Sequence, residues 1–409
     1  YRNVVLGTAL VDMYAKCGVL AKAQEVLEKL SKRDIVSWNA LIAGYVQHGK
    51  GYEAVGCFEQ MQREGLSPDV VTYTCILKAC GERGGLDKGK QIHEEIISKG
   101  LLGKDIILGN ALVDMYSKCG FLGEARKVLE NLPERHVISW SALIAGYSQQ
   151  GQGHEALSCF DQMLNDGLSP DMVTFICLLK VCGSIGAIEK GKQIHNEIAS
   201  RGFLAKNTVV GTAVVDMYAK CGLLKKAQQV LDGLCIRTKV TWSALIAGYA
   251  QQGQAREALT CFQQMQREGL DPDEVIFLCV LSACSHSGLL NEIQILFGNM
   301  SEKYNIIPRL QHLAFMVTVF GCAGYFDQVM SVIKMMPSSD NSAVWLAVLD
   351  VSRIWGNSKL GILAFDQSLQ LDHTCATAYI LMANIFGAAG MQEDANKLER
   401  VRKDALVNY

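Results

Sequence analysis

The chain has 409 residues, 49% of them apolar and 20% charged, so it can bury a large core and does not have the composition of a disordered chain. Lysine and arginine total 39 against 41 acidic residues, a net charge of −2, which excludes a strongly basic module that holds nucleic acid by bulk charge. No run of about 18 apolar residues occurs, so no membrane span is expected. The six prolines favour helices over proline-rich linkers.

The 15 cysteines fall largely into register. Cys17, Cys119 and Cys221 are 102 residues apart, as are Cys57, Cys159 and Cys261; Cys75, Cys177 and Cys279; and Cys80, Cys182 and Cys284. No pair is separated by two residues, so the usual zinc knuckle is absent. The columns suggest small apolar core residues at equivalent positions in a reducing compartment, with no metal.

The same period places Trp38, Trp140 and Trp242, and Pro68, Pro170 and Pro272. Within it lie units of 31, 35 and 36 residues. The first spans 4–34, marked by LVDMYAKCG. The second spans 35–69, marked by SWNALIAGY, and the third 70–105, marked by CILKACG. The order repeats at 106–136, 137–171 and 172–207, and again at 208–238, 239–273 and 274–309. A shorter final unit, 310–341, precedes a segment 342–409 in which the pattern decays. A period of this length indicates a solenoid.

Each unit is expected to be two helices. In 35–69, Trp38, Leu41, Ile42 and Tyr45 form one amphipathic stripe; after Gly49, Ala54, Cys57, Phe58 and Met61 form another. Gly65 and Pro68 stop the second helix. One pair cannot bury its stripe alone, so neighbours stack into a superhelix. Gly44, Gly146 and Gly248 recur inside first helices, where glycine costs about 1 kcal/mol relative to alanine, and predict close helix packing.

Helix pairs of about this length, ending in GLSPD at Asp69 and Asp171, resemble pentatricopeptide repeats. The alternation of unit lengths resembles the class with P-, L- and S-type motifs, and 342–409 resembles two C-terminal extension motifs of tetratricopeptide-like helix pairs. The resemblance implies an all-α, right-handed superhelical solenoid of helix-turn-helix repeats. Such proteins are plant organellar RNA-binding factors, most of which direct cytidine-to-uridine editing.

With Trp38 at zero on a helix that advances 100° per residue, Asn39 lies at about 100°, Val36 at about 160° and Gln47 at about 180°, away from the core stripe. These are the fifth, second and thirteenth positions of the unit. The resemblance makes the fifth residue and the last residue of each unit the base readers. They pair as Thr8 with Asp34, Asn39 with Asp69, Asn110 with His136, Ser141 with Asp171, Thr212 with Thr238, and Ser243 with Asp273. Asn, Ser and Thr donate and accept hydrogen bonds, as base edges require; the competing expectation is a helix cap. The second residues would bracket bases: Val5, Val36, Ile107, Ile138, Val209 and Val240. The thirteenth residues Lys16, Lys118 and Lys220 would touch phosphate. Each follows an aspartate by four residues, so an ion pair with Asp12, Asp114 or Asp216 is the alternative. Thr74, Ile176 and Leu278 occupy the fifth position of the third unit type, which is expected to act as a spacer.

The family's code then predicts single-stranded RNA of sequence G-U-n-n-G-n-n-G, with a weak pyrimidine preference at the fourth nucleotide. His136 and Thr238 depart from the usual last residue. His93 and His195 begin His-x-Glu motifs, but no Cys-x-x-Cys follows, so no zinc deaminase is expected in this chain, and no cofactor. Tyr409 falls where such a domain begins in the family. A deaminase or editing accessory proteins would act through 342–409, in a mitochondrion or chloroplast. The rival readings are a protein-binding helical scaffold and an RNA-stabilising factor without an editing role.

Overall fold

The computed structural model describes residues 4–83, 85–103, 105–335, 342–373 and 375–407. Among these, every regular element is an α-helix, and none is long and apolar enough to cross a membrane. Residues 336–341 of the expected final unit and 408–409 of the expected extension lie outside the described residues. The chain divides into two compact bodies, Tyr1–Ala244 and Leu245–Tyr409.

The first body is a file of helix pairs. They are Val4–Lys16 with Leu20–Glu28, Ile35–Gln47 with Gly51–Arg63, Val70–Arg83 with Leu86–Ser98, Ile106–Lys118 with Leu122–Glu130, Val137–Gln149 with Gly153–Asn165, Met172–Ile185 with Ile188–Ser200, and Thr208–Lys220 with Leu224–Asp232. First helices of successive pairs pack on one another, and each second helix packs on its own partner and on the next first helix. This nearest-neighbour packing is that of a helical-repeat solenoid.

The local signals are physical. Asp34 opens helix Ile35–Gln47 by accepting the Ser37 amide at 2.9 Å, while the Ser37 hydroxyl meets the Asp34 amide at 3.1 Å, a reciprocal cap. Gly49, at φ +68°, ends that helix in a conformation that side chains with a Cβ rarely adopt. The stripe then closes the core: Trp38, Leu41, Ile42, Ala54, Phe58 and Met61 are all buried, as are their counterparts 102 residues on. Gly44 fits because a Cβ there would stand 2.5 Å from the Ala15 Cβ, and one at Gly146 would stand 3.0 Å from the Ser117 Cβ. These are the close approaches of first helices that the recurrent glycines predict.

Two details differ from expectation. The segment before Thr208 contains an additional short helix, Phe203–Lys206, entered through Gly202 at φ +69°; the Phe203 ring packs edge-on against Phe175, their centroids 6.2 Å apart. The cysteine columns also split. The Cys57 and Cys80 columns are core, whereas Cys17 is exposed and Cys119 and Cys221 are half-buried. The latter two sit at the C-cap of their helices, where the chain turns towards solvent; their thiols point at the carbonyls of Cys80 and Cys182, at 3.6 and 3.5 Å.

In the second body, helices Ala255–Arg267, Glu274–His286, Leu290–Glu302, Leu310–Cys322 and Phe326–Lys334 are followed by Ser342–Trp355, Ser358–Leu371, Ala376–Ala388 and Gln392–Val407. Helix Ser342–Trp355 packs on Leu310–Cys322 at Gly321, where an added Cβ would meet Val351 at 2.5 Å. The Trp355 indole donates to the Gly321 carbonyl at 2.8 Å, locking the junction.

Candidate nucleic-acid interface

The first helices carry their second residues outward. Val5, Val36, Ile107, Ile138, Val209 and Val240 are 54–80% exposed although all are β-branched and apolar. The third unit type does the same with Val71, Val173 and Val275, a set the sequence reasoning passed over because two of those three units lack a polar fifth residue. Burial would stabilise such side chains, so a regular row left in water marks a surface with a use.

Between these walls lie the fifth residues, and they are recessed. Asn39, Asn110 and Ser141 are 8%, 9% and 6% exposed, while Thr8, Thr212 and Ser243 are half-buried. Helical periodicity alone predicts a row projecting from an open face; here the adjoining helix of the next pair packs beside the helices that carry Asn39, Asn110 and Ser141. A groove of about 530 Å³ remains, lined by Thr74, Ile107, Asn110, Ile138, Ser141 and Asp171 among others. Second, fifth and last residues of neighbouring units therefore meet in one depression.

The last residues reach the fifth ones from below. The Asn39 amide nitrogen donates to both Asp69 oxygens, at 3.0 and 3.2 Å. The Ser141 hydroxyl lies 3.4 Å from Asp171 Oδ1. The expected cap is also present, but it belongs to the last residue: Asp69 and Asp171 each accept the amide of the threonine three positions on, Thr72 and Thr174, at 2.8 Å. Asp273 does likewise with the Ile276 amide at 3.0 Å. Capping and pairing thus coexist. Burial by itself raises the Asp69 carboxyl; the Thr72 amide, the Thr72 hydroxyl and the Asn39 amide together hold it below the ordinary carboxylate range.

A third residue joins three of the pairs, and the sequence reasoning missed it. The Thr72 hydroxyl lies 2.6 Å from Asn39 Oδ1 and 2.8 Å from Asp69 Oδ1. The Thr174 hydroxyl lies 2.6 Å from that of Ser141 and 2.7 Å from Asp171 Oδ1. Thr241 lies 2.8 Å from the Thr212 hydroxyl and 2.9 Å from that of Thr238. Each of these hydroxyls is the third residue of the next helix, fully buried, where one expects only a cap partner.

The remaining sites are simpler. Asn110 Oδ1 and Thr8 Oγ1 are buried without a hydrogen-bond partner. The His136 side chain is exposed and makes no cap bond. Lys16, Lys118 and Lys220 each pair with the aspartate one turn earlier, at 2.7, 2.8 and 2.7 Å, on the exposed rim. The ion pair and a phosphate contact are compatible, since an ammonium has three donors. In the third unit type, the Thr74 hydroxyl turns back to the Val70 carbonyl at 2.8 Å.

His93 and His195 are accounted for by packing. Their Nδ1 atoms meet the Tyr116 and Tyr218 hydroxyls at 3.0 and 2.9 Å, edge-on to those rings. Burial, the largest influence on both, lowers their affinity for a proton. A histidine held neutral in the fold favours it above the unfolded value of about 6.5, and that advantage is lost as pH falls from there towards the lower native value. Thermal melts should therefore show stability dropping between pH 7.5 and 5.5, and the drop should shrink in the His93→Gln/His195→Gln double variant.

The fold and site define a helical-repeat protein with a groove lined by repeating polar positions. The PPR repeat family profile matches residues 33–82, 135–184 and 237–286, and the PPR repeat profile matches 8–35, 71–101, 110–137 and 212–235. The pentatricopeptide repeat-containing protein At2g22410, mitochondrial, of Arabidopsis thaliana is 34% identical over 98% of this chain, which spans 63% of that relative. A second pentatricopeptide repeat-containing relative from the same plant is 32% identical over 98% of this chain, which covers 68% of its length. The chain belongs to the pentatricopeptide-repeat family. The crystal structure of PPR10 from maize aligns with 98% of this chain and 73% of its own at 17% identity and a TM-score of 0.47.

Proposed function

We propose that the chain is a sequence-specific single-stranded RNA-binding protein that takes one nucleotide per unit. The observation that carries this reading is the threefold meeting of an exposed β-branched second residue, a recessed polar fifth residue and a last residue bonded to it. Apolar walls suit the faces of a base, and the polar floor suits its edge. The unpartnered Asn110 Oδ1 supports the same reading, because a buried polar atom left unmet costs about 1–3 kcal/mol unless a ligand satisfies it. The floor is built from short polar groups with few free cations, so binding rests on base contacts more than on bulk charge.

The target is G-U-n-n-G-n-n-G with a weak pyrimidine at the fourth position. The units 4–341 would bind it, and the helices within 342–409 would position a deaminase acting in trans, making the chain a specificity factor for organellar cytidine-to-uridine editing. Relatives whose names place them in the mitochondrion support that address. Fluorescence anisotropy with the predicted RNA and a scrambled RNA of equal composition tests the binding. Tighter binding of the predicted RNA supports it, whereas equal affinity or none returns the chain to the scaffold reading. Adding a deaminase domain in trans and sequencing the RNA for cytidine conversion tests the editing role separately.

A further inference from the structure

Resting on the RNA reading above, we infer that Thr72 and Thr174, the third residues of the helices that follow two of the three 35-residue units, 35–69 and 137–171, are positioning residues that set whether the fifth residue meets a base as donor or acceptor.

The argument is a count of protons. A carboxylate only accepts, and a hydroxyl has one proton to give. At Ser141, the Thr174 hydroxyl lies 2.7 Å from Asp171 Oδ1, so its proton goes to the carboxylate. Its oxygen can then only accept from Ser141, 2.6 Å away, and Ser141 has spent its proton. What Ser141 turns to the groove is a lone pair. That is an acceptor, matched by the N1–H and N2–H edge of guanine and mismatched to a base carbonyl.

At Asn39 the same carboxylate fixes the opposite polarity. Asp69 must receive hydrogens, so the amide nitrogen faces it at 3.0 Å, and Oδ1 turns to the Thr72 hydroxyl at 2.6 Å. Thr72 has one proton between two acceptors, of which Asn39 Oδ1 is the nearer. The two oxygens of one carboxylate subtend too small an angle for both N–H bonds of the amide, so one bifurcated N–H serves Asp69, the amide is held at both ends, and its second N–H is left for a partner. That is a donor, matched by the O4 of uracil and mismatched to the N4 amine of cytosine.

Two contrasts within the chain support this assignment. At Thr212 the relay runs through Thr241 to Thr238, a hydroxyl in place of a carboxylate, while the Thr212 proton is also directed to the Thr208 carbonyl at 2.9 Å. No carboxylate anchors the far end of that relay, so Thr241 can donate to either neighbour. After the first two 36-residue units the third residue is Leu108 or Val210, both fully buried, and after the last it is His312, which meets only the backbone of Arg309 and Glu274, so no hydroxyl relay is present at these three places. The 36-residue units thus lack this hydroxyl, and so does the third 35-residue unit, which is followed by Ile276 and whose Ser243 therefore has no threonine to orient it.

The test uses the full chain and RNAs carrying each of the four bases at nucleotides 2 and 5. Valine preserves the shape of threonine and removes only the hydroxyl. Thr174→Val should reduce the preference for guanine over adenine at nucleotide 5 about tenfold, the effect of one lost base contact, and leave the uracil preference at nucleotide 2 intact. Thr72→Val should do the reverse. Thr174→Ser and Thr72→Ser, which keep the hydroxyl, should retain each preference; a merely structural role would weaken binding to all four bases in the valine variants and leave the ratio between bases unchanged. The unaffected nucleotide reports that each variant is folded. Valine variants that keep both preferences overturn this inference and leave the RNA reading standing. A parent chain with no base preference at either nucleotide overturns both.

Discussion

Replacing Asn39 by serine is expected to shift the preference at the second nucleotide from uracil to guanine. The change leaves the backbone, the walls at Val36 and Val71, and the partners Thr72 and Asp69 in place. It exchanges an amide whose nitrogen is bonded to Asp69 for a hydroxyl beside Thr72, the arrangement that Ser141 already has with Thr174 and Asp171. The introduced hydroxyl should pass its proton to Thr72 and meet the base as an acceptor. A well-placed base contact discriminates by about 1–3 kcal/mol, so the ratio of affinities for the two RNAs should invert. Competition binding with RNAs differing only at that nucleotide measures it. A loss of affinity for all four bases with no inversion would mean that Asn39 supports the fold without reading.

The largest stability effect is expected at Trp140. Its ring is 2% exposed between the two helices of its pair, and its indole nitrogen donates to Asp166 at 3.2 Å. Trp140→Ala removes that packing and leaves a cavity, a change that costs about 3–5 kcal/mol in a close-packed core. In a stack that contacts only its neighbours, the loss should stay local. Hydrogen exchange should quicken in Val137–Gln149 and in the adjoining Ile106–Lys118 and Met172–Ile185, while Val4–Lys16 keeps its protection. Uniform loss along the whole body would show that the array unfolds as one unit.

The repeat made most of the fold legible. A hydrophobic stripe at i, i+3, i+4 and i+7 specifies a helix face without reference to anything distant, and a unit too small to bury that face must stack. The same arithmetic separated Val36 and Asn39 from the core side. It failed on depth. A helical wheel gives the angle of Asn39 but not the height of the neighbouring helix, so a residue expected on an open face is in fact recessed on a floor. It also passed over Thr72 and Thr174. Their column shows a hydroxyl at a helix start, which a cap explains completely; only coordinates show the same oxygen touching a side chain of the preceding unit. The short helix at Phe203 escaped for a related reason, because it depends on the Phe175 ring across the turn. Cys119 and Cys221 share a column with Cys17, and a column records equivalence rather than burial.

Selection from a random RNA library by the intact chain, read out by sequencing the bound fraction, tests the central claim most directly. The 35-residue units 35–69, 137–171 and 239–273, proposed to read uracil, guanine and guanine, recur with the 102-residue period, which contains three units and, at the proposed one nucleotide per unit, three nucleotides. The account predicts enriched RNAs with uracil at nucleotide 2 and guanine at nucleotides 5 and 8, with little preference at 3, 6 and 7. Enrichment without that three-nucleotide spacing, or none at all, would contradict the claim that each stacked helix pair receives one base.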